Sequence, residues 1–179
     1  MSIKKIVSLG MLAAISIVGV MLIRFSIFPQ VAFLEYDPAD IPIFIATFAF
    51  GTVPGLVLTV AVSFIQGITV SAGSGGLIGI VMHILATGSF VVVAGTIYSR
   101  KKTRKRAYVS LLAGVLVMTI TMTLWNLLIT PIHMGMPHAA ILPFMPFIIA
   151  FNIIKAGINA LVTALVYKKV HKQLDRFIK

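Results

Sequence analysis

Apolar residues run along this chain in five long stretches, at about 6–28, 41–70, 77–98, 108–129 and 142–167. A helix needs about 20 apolar residues to cross the hydrocarbon core of a bilayer, so four of these stretches predict one crossing each. The second is too long for one straight crossing and carries Gly51-Thr52-Val53-Pro54-Gly55 in its interior. A Gly/Pro cluster of that kind marks a turn between helices, which divides the stretch into a short helix over 40–50 and a full one after it. The short helix would rise only about 16 Å, so it must be tilted, partly unwound or sunk behind an outer loop. Asp40, with Pro42 in the first turn, reads as its N-cap.

The polar positions decide the number of crossings. Of 15 Lys and Arg, all but two fall in three clusters outside the apolar stretches. Lys4 and Lys5 form the first, Arg100, Lys101, Lys102, Arg104, Lys105 and Arg106 the second, and Lys168, Lys169, Lys172, Arg176 and Lys179 the third. Basic loops stay on the cytoplasmic side. Only an even number of crossings puts all three clusters there, and the division at 51–55 supplies it. The expected fold is therefore all-α: one integral membrane domain over 1–179, a bundle of six transmembrane helices with a short second helix and both termini cytoplasmic. Its outer loops are 29–39, 71–76 and 131–143, and the first holds three of the four acids, Glu35, Asp37 and Asp40 counted at its edge.

Composition agrees. A chain with mean hydropathy +1.08 and 11% charged residues cannot skin a soluble domain, so lipid is its main solvent. The net charge of +11 flanks the spans and has no nucleic-acid motif beside it, which makes it a topology signal and a contact for anionic lipid. Without cysteine there is no disulfide, thiolate metal site or Cys nucleophile. The first apolar stretch is too long for a signal-peptide core and is read as the first span. No internal repeat is evident.

Two basic residues stand apart from the clusters. Lys155 lies deep in the last span, where a charge costs several kcal/mol unless it faces a cavity or a partner. Asn152, Lys155 and Asn159 recur at i, i+3 and i+7, one helical stripe. Thr119, Thr123, Asn126 and Thr130 repeat that spacing on the preceding span, with Trp125 beside them. Two facing polar stripes predict a pocket for a polar, flat ligand, although the threonines and Asn159 equally suit interhelical hydrogen bonds. Arg24 is expected to snorkel outward or to pair with Glu35 or Asp37. His83 could serve a ligand or a neighbouring carbonyl, while His133 and His138 lack a carboxylate at metal spacing and read as loop residues. Gly10, Ala13 and Ala14 make a small-residue face on the first span, expected to pack internally.

Chemistry is otherwise sparse. The nearest approach to a Walker A loop, at 73–79, lacks its Lys and Ser/Thr. No nucleophile–base or paired-carboxylate arrangement lies in the spans. The chain reads as a binding protein rather than an enzyme, with no cofactor and no metal.

The run Leu34-Glu35-Tyr36-Asp37-Pro38-Ala39-Asp40-Ile41-Pro42, followed by Phe50-Gly51-Thr52-Val53-Pro54-Gly55, resembles the first outer loop and following hairpin of the substrate-binding S components of energy-coupling factor (ECF) vitamin transporters. It is most similar to the riboflavin-specific ones. The resemblance implies a bacterial cell-membrane subunit that captures riboflavin from outside. It would join a transmembrane T component and two cytoplasmic ATPases, and topple in the bilayer to release the vitamin inward. It also implies a ligand near the outer face, under the first loop and between the last three helices. Asn152 and Lys155 match the family's Asn-x-x-Lys, and Asn126 its fifth-helix amide. Leu34, Tyr36 and Asp37 from the loop, Trp125, and Gly79 and His83 from the fourth helix complete the implied site. The family's Ala-xxx-Ala docking face for the T component would fall on Gly10, Ala13 and Ala14. An S component for another vitamin, or a stand-alone facilitator, are the rival readings.

Overall fold

The computed structural model describes residues 3–70 and 76–178, of which the side chains at 168, 169 and 171–178 fall outside the description. The chain is almost wholly helical. Helix α1 (Ile3–Leu22) leads into a two-stranded hairpin of β1 (Phe25–Ser26) and β2 (Glu35–Tyr36), with a 3-10 turn at Pro29–Val31 between them. Then follow α2 (Asp40–Phe50), α3 (Thr52–Thr69), α4 (Gly76–Arg100) and α5 (Arg104–Leu128). A five-residue α6 (Thr130–Met134) and a 3-10 helix (His138–Phe144) precede the long α7 (Met145–Ile178).

Five of these segments are long and apolar enough to cross a membrane, and α2 is the short sixth helix that the glycine and proline cluster predicts. The break falls at Gly51, whose φ of 104° and ψ of 175° belong to a region that side chains with a Cβ avoid. Its N–H still closes α2 on the Thr47 carbonyl at 2.9 Å, and its own carbonyl receives the Gly55 N–H at 3.2 Å. One residue thus ends one helix and starts the next.

The five long helices neighbour one another in the order α1, α3, α4, α5, α7, and α2 packs inside against α1, α3, α4 and α7. Position follows composition. A helix that is apolar on all sides belongs in a core, and eight residues of α2, from Asp40 to Phe48, are buried. The outer helices instead turn large apolar side chains such as Ile6, Met11, Ile15, Leu112, Leu116 and Leu161 to the surface, where the acyl chains would lie. At the centre Phe44 of α2 stacks on Phe90 of α4, with centroids 3.6 Å apart and planes 9° from parallel. Gly114 of α5 lets them do so. A Cβ built there would come within 2.7 Å of the Phe90 ring.

Aromatic contacts fix which helix ends lie together. Phe48 and Tyr98, near the C-terminal ends of α2 and α4, gather with Tyr167 in the second half of α7, with ring centroids between 4.6 and 6.2 Å apart. At the opposite end Arg24 donates to the carbonyl of Val70 at the close of α3, at 2.9 Å. This is the antiparallel arrangement that an even number of crossings requires, with the Arg100–Arg106 connection at the Tyr98 end. Thr103 caps α5 there through the Arg106 N–H. The third basic cluster lies outside the described side chains, and Lys179 and residues 71–75 outside the described chain.

Three expectations need correction. The first span ends at Leu22 rather than near 28, because Phe25–Ser26 pair antiparallel with Glu35–Tyr36 and Pro29 cannot extend a helix. Arg24 therefore stands in the hairpin, not on α1. Asp40 is not an N-cap: Ala39 holds that position without a side-chain bond. The Asp40 carboxylate crosses to other helices, while Asp37 Oδ1 takes the Ala39 N–H at 3.0 Å in an Asx-type turn. On α1, Ser8, Leu9, Leu12, Ser16 and Val20 face inward. Gly10 and Ala14 are exposed, so that edge of the small-residue face points out of the bundle, while the half-buried Ala13 packs on the main core as expected.

Gly51→Ala should lower the midpoint of thermal unfolding in detergent, by about 1–3 kcal/mol of backbone strain. Gly157→Ala, where a Cβ meets nothing within 4 Å, should leave it unchanged or raise it.

Candidate functional site

The hairpin after α1 seats on α7 through a second, smaller core. Val31, Leu34 and Tyr36 pack with Ile141, Ile148 and Phe151, and Phe28 meets Phe147 edge-on at 5.9 Å. That core sets residues 33–37 over the polar stripe of α7. Lys155 Nζ donates to Asp37 Oδ2 at 2.7 Å and reaches the Glu35 carbonyl at 3.4 Å. One turn on, Asn159 is fully buried and binds three partners. It accepts from the Tyr36 hydroxyl at 3.1 Å and donates to the Asp37 carbonyl at 3.2 Å and Asp40 Oδ2 at 3.1 Å. Burial raises the Tyr36 phenol above its ordinary pKa, and the neighbouring Asp37 adds to the shift, so Tyr36 stays a donor.

Asp40 extends this network into α4. Its Oδ1 receives the Thr87 hydroxyl at 2.6 Å and lies 3.3 Å from His83 Nε2, off hydrogen-bond geometry. His83 Nδ1 meets Ser63 Oγ of α3 at 2.7 Å. The fully buried carboxylate is thereby surrounded by polar groups from two helices, as a charge in this environment demands.

Beneath the hairpin lies a cavity of about 130 Å³. The hairpin contributes Arg24, Phe33, Leu34, Glu35 and Asp37, and α7 contributes Phe151, Asn152 and Lys155. From α3 come Ser63, Gln66 and Gly67, from α4 Gly79, Ile80, Met82, His83 and Ala86, and from α5 Met118 and Met122. Eight of these 18 residues carry polar or charged side chains, and most of those are already partnered. Asn152 Nδ2 is committed to the Ile148 carbonyl at 2.8 Å, which leaves its Oδ1 without a donor among the described residues. Gln66 Oε1 is likewise unpartnered among them. A cavity with thioether and aromatic walls, free amide oxygens and paired charged groups suits a flat ligand whose rim carries hydrogen-bonding atoms.

Six of the nine residues expected at the site line this cavity: Leu34, Asp37, Gly79, His83, Asn152 and Lys155. Tyr36, Trp125 and Asn126 do not. Tyr36 turns its ring to Phe25 and its hydroxyl to Asn159. Trp125 packs against the main core. Asn126, fully buried, gives Nδ2 to the Met122 carbonyl and takes the Thr130 hydroxyl on Oδ1, so it splices α5 to α6. Thr119 keeps a buried hydroxyl without a partner among the described residues. From α5 it is the sulfur-bearing Met118 and Met122 that reach the cavity. Their only sequence signal is a four-residue spacing that any core helix shows. Arg24 pairs with Glu35, as one of its expected alternatives had it, and so joins the rim.

A family model described as "ECF transporter, substrate-specific component" matches residues 4–167. The chain belongs to this family. It is 28% identical to the riboflavin transporter FmnP of Bacillus subtilis (strain 168), over 98% of this chain and 96% of that one. The riboflavin transporter RibU of Staphylococcus aureus (strain TCH60) is also 28% identical, over 97% and 93% of the two chains. A solved structure, titled "Structure and mechanism of the S component of a bacterial ECF transporter", superposes with a TM-score of 0.82 at 28% identity, covering 96% of this chain and 97% of its own. The protein is thus a multi-pass membrane S component of a transport family, all-α as its hydropathy predicts.

Asn159 joins α7 to the hairpin and to the start of α2, so its loss strands buried polar groups on both. Asn159→Ala should destabilise the protein by on the order of 2–3 kcal/mol in thermal unfolding followed by circular dichroism. Thr163→Val, which removes only an own-helix bond to the Asn159 carbonyl, should cost well under half of that.

Proposed function

We propose that this chain is the riboflavin-capturing subunit of an ECF importer in a bacterial cell membrane. It would take the vitamin from the outer side into the cavity beneath the 33–37 segment. The observation that carries the reading is the meeting of that segment with Asn152 and Lys155 over a cavity walled by Met and Phe side chains. Support also comes from near full-length likeness to chains named riboflavin transporters.

The chemistry is complementary. An isoalloxazine ring is apolar on its faces and carries carbonyl and N–H groups on its rim. Met82, Met118, Met122 and Phe151 cover faces of that kind. At the rim, Asn152 Oδ1 accepts an N–H. Lys155, with two of its three protons given to Asp37 and the Glu35 carbonyl, donates the third to a carbonyl or ribityl hydroxyl. The residues outside the cavity lining take indirect roles: Tyr36 holds Asn159 and thereby the loop, and Asn126 fixes the helix that bears Met122.

The chain carries no nucleotide-hydrolysing motif, so uptake is driven by partners, a T component and two ATPases. Gly10 and Ala14, outward on α1, with Ala13 half-buried beside them, form the face that a T-component helix would approach closely.

Protein purified in detergent from cells grown with riboflavin should be yellow, with flavin absorbance that co-elutes with it. A colourless preparation that also fails to bind added riboflavin would sink the reading. Lys155→Met should weaken riboflavin affinity by well over tenfold, about 1.4 kcal/mol or more, in a fluorescence-quenching titration; an unchanged affinity would remove Lys155 from the site.

A further inference from the structure

The charged groups that line the cavity come in opposite-sign pairs. Its two cations are Arg24 and Lys155, and its two carboxylates are Glu35 and Asp37. Lys155 lies against Asp37 and Arg24 against Glu35. The one other titratable group in the lining, His83, faces Asp40. Among the described residues the cavity therefore offers no net positive charge.

The two pairs lie at different depths. Side chains of Asp37 and Lys155 are 7% and 12% exposed, those of Glu35 and Arg24 37% and 25%. The first pair is interior and the second marks the mouth. Hairpin register builds the mouth pair, since Glu35 stands opposite Ser26 and Arg24 directly precedes β1. Arg24 is also tied to the Val70 carbonyl, an anchor that does not depend on Glu35.

We propose that Glu35 sets the charge selectivity of the cavity: by neutralising the Arg24 guanidinium at the mouth it favours an uncharged ligand over the phosphorylated form of the same molecule. The inference rests on the riboflavin reading above and names the residue that separates riboflavin from its 5′-phosphate. A phosphate monoester carries nearly two negative charges at neutral pH. Entering this cavity it loses water and meets cations whose charge is already balanced by carboxylates, so its desolvation is poorly compensated. A ribityl hydroxyl has no such penalty. Without the Glu35 charge, Arg24 would stay at the mouth with two-pronged donors that match a phosphate.

The test compares affinities for riboflavin and riboflavin 5′-phosphate in detergent-purified protein. The wild type should prefer riboflavin by about tenfold or more. Glu35→Gln should shrink that ratio by about fivefold or more, an effect that fades as salt is raised. The Arg24→Gln/Glu35→Gln double variant should restore the preference for riboflavin. Glu35→Ala serves as a second route to the same loss of charge if Glu35→Gln does not fold. A wild type that binds both flavins equally, or charge-neutralised variants that keep the wild-type ratio, would overturn the proposal. Failure to bind either flavin would overturn the riboflavin reading and this inference with it, a result distinct from binding without discrimination.

Discussion

Carboxylates inside a membrane bundle must be matched, and two of them, Asp37 and Asp40, organise the outer half of this molecule. Asp37 is held by Lys155 and by the backbone of its own turn, Asp40 by Thr87 and Asn159 with His83 beside it. Apart from that turn, these contacts span roughly 45 to 120 positions of sequence and join the hairpin, α2, α4 and α7. Removing one partner would leave a buried charge unmatched, which costs far more than the pair itself contributes. The network therefore fixes geometry more than it adds stability, and the cavity inherits its roof from it.

Apolar packing serves that network in two separate places. The main core is built around α2, a helix surrounded by protein, and it is dense enough that Gly114 has no room for a methyl group. Among the described residues the smaller core under the hairpin has only Val31, Leu34, Tyr36, Ile141, Ile148 and Phe151 as its buried members. The cavity lies between a rigid interior and a modest outer cover.

Features that depend on one stretch of chain were legible in the sequence. The break at Gly51 follows from local backbone chemistry, and the number of crossings from charge placement. Lys155 stands out because lipid tolerates so few ammonium groups. What pairs with Lys155 was not legible, since Asp37 is 118 residues away and nothing along either segment encodes the encounter. Asn126 shows the converse. Its spacing with Thr119 and Thr130 marks a polar stripe, but an amide can satisfy itself within its own helix, and periodicity does not distinguish that from an amide that waits for a ligand. The hairpin at 25–36 was hidden because Phe25 to Phe28 extend the apolar run that α1 begins.

Helix lengths carry one more consequence. Helix α3, of 18 residues, spans about 27 Å, whereas the apolar parts of α4 (77–98) and α5 (108–128) span about 33 and 32 Å, since Arg100 and Arg104 to Arg106 lie beyond the hydrocarbon. Lipid beside α3 is asked to be thinner than lipid beside α5, and a bilayer of one thickness meets both only by deforming or by letting the bundle lean. Unequal helices give the bundle a reason to lean, and a change in bilayer thickness changes that mismatch and with it the angle at which the cavity meets the surface.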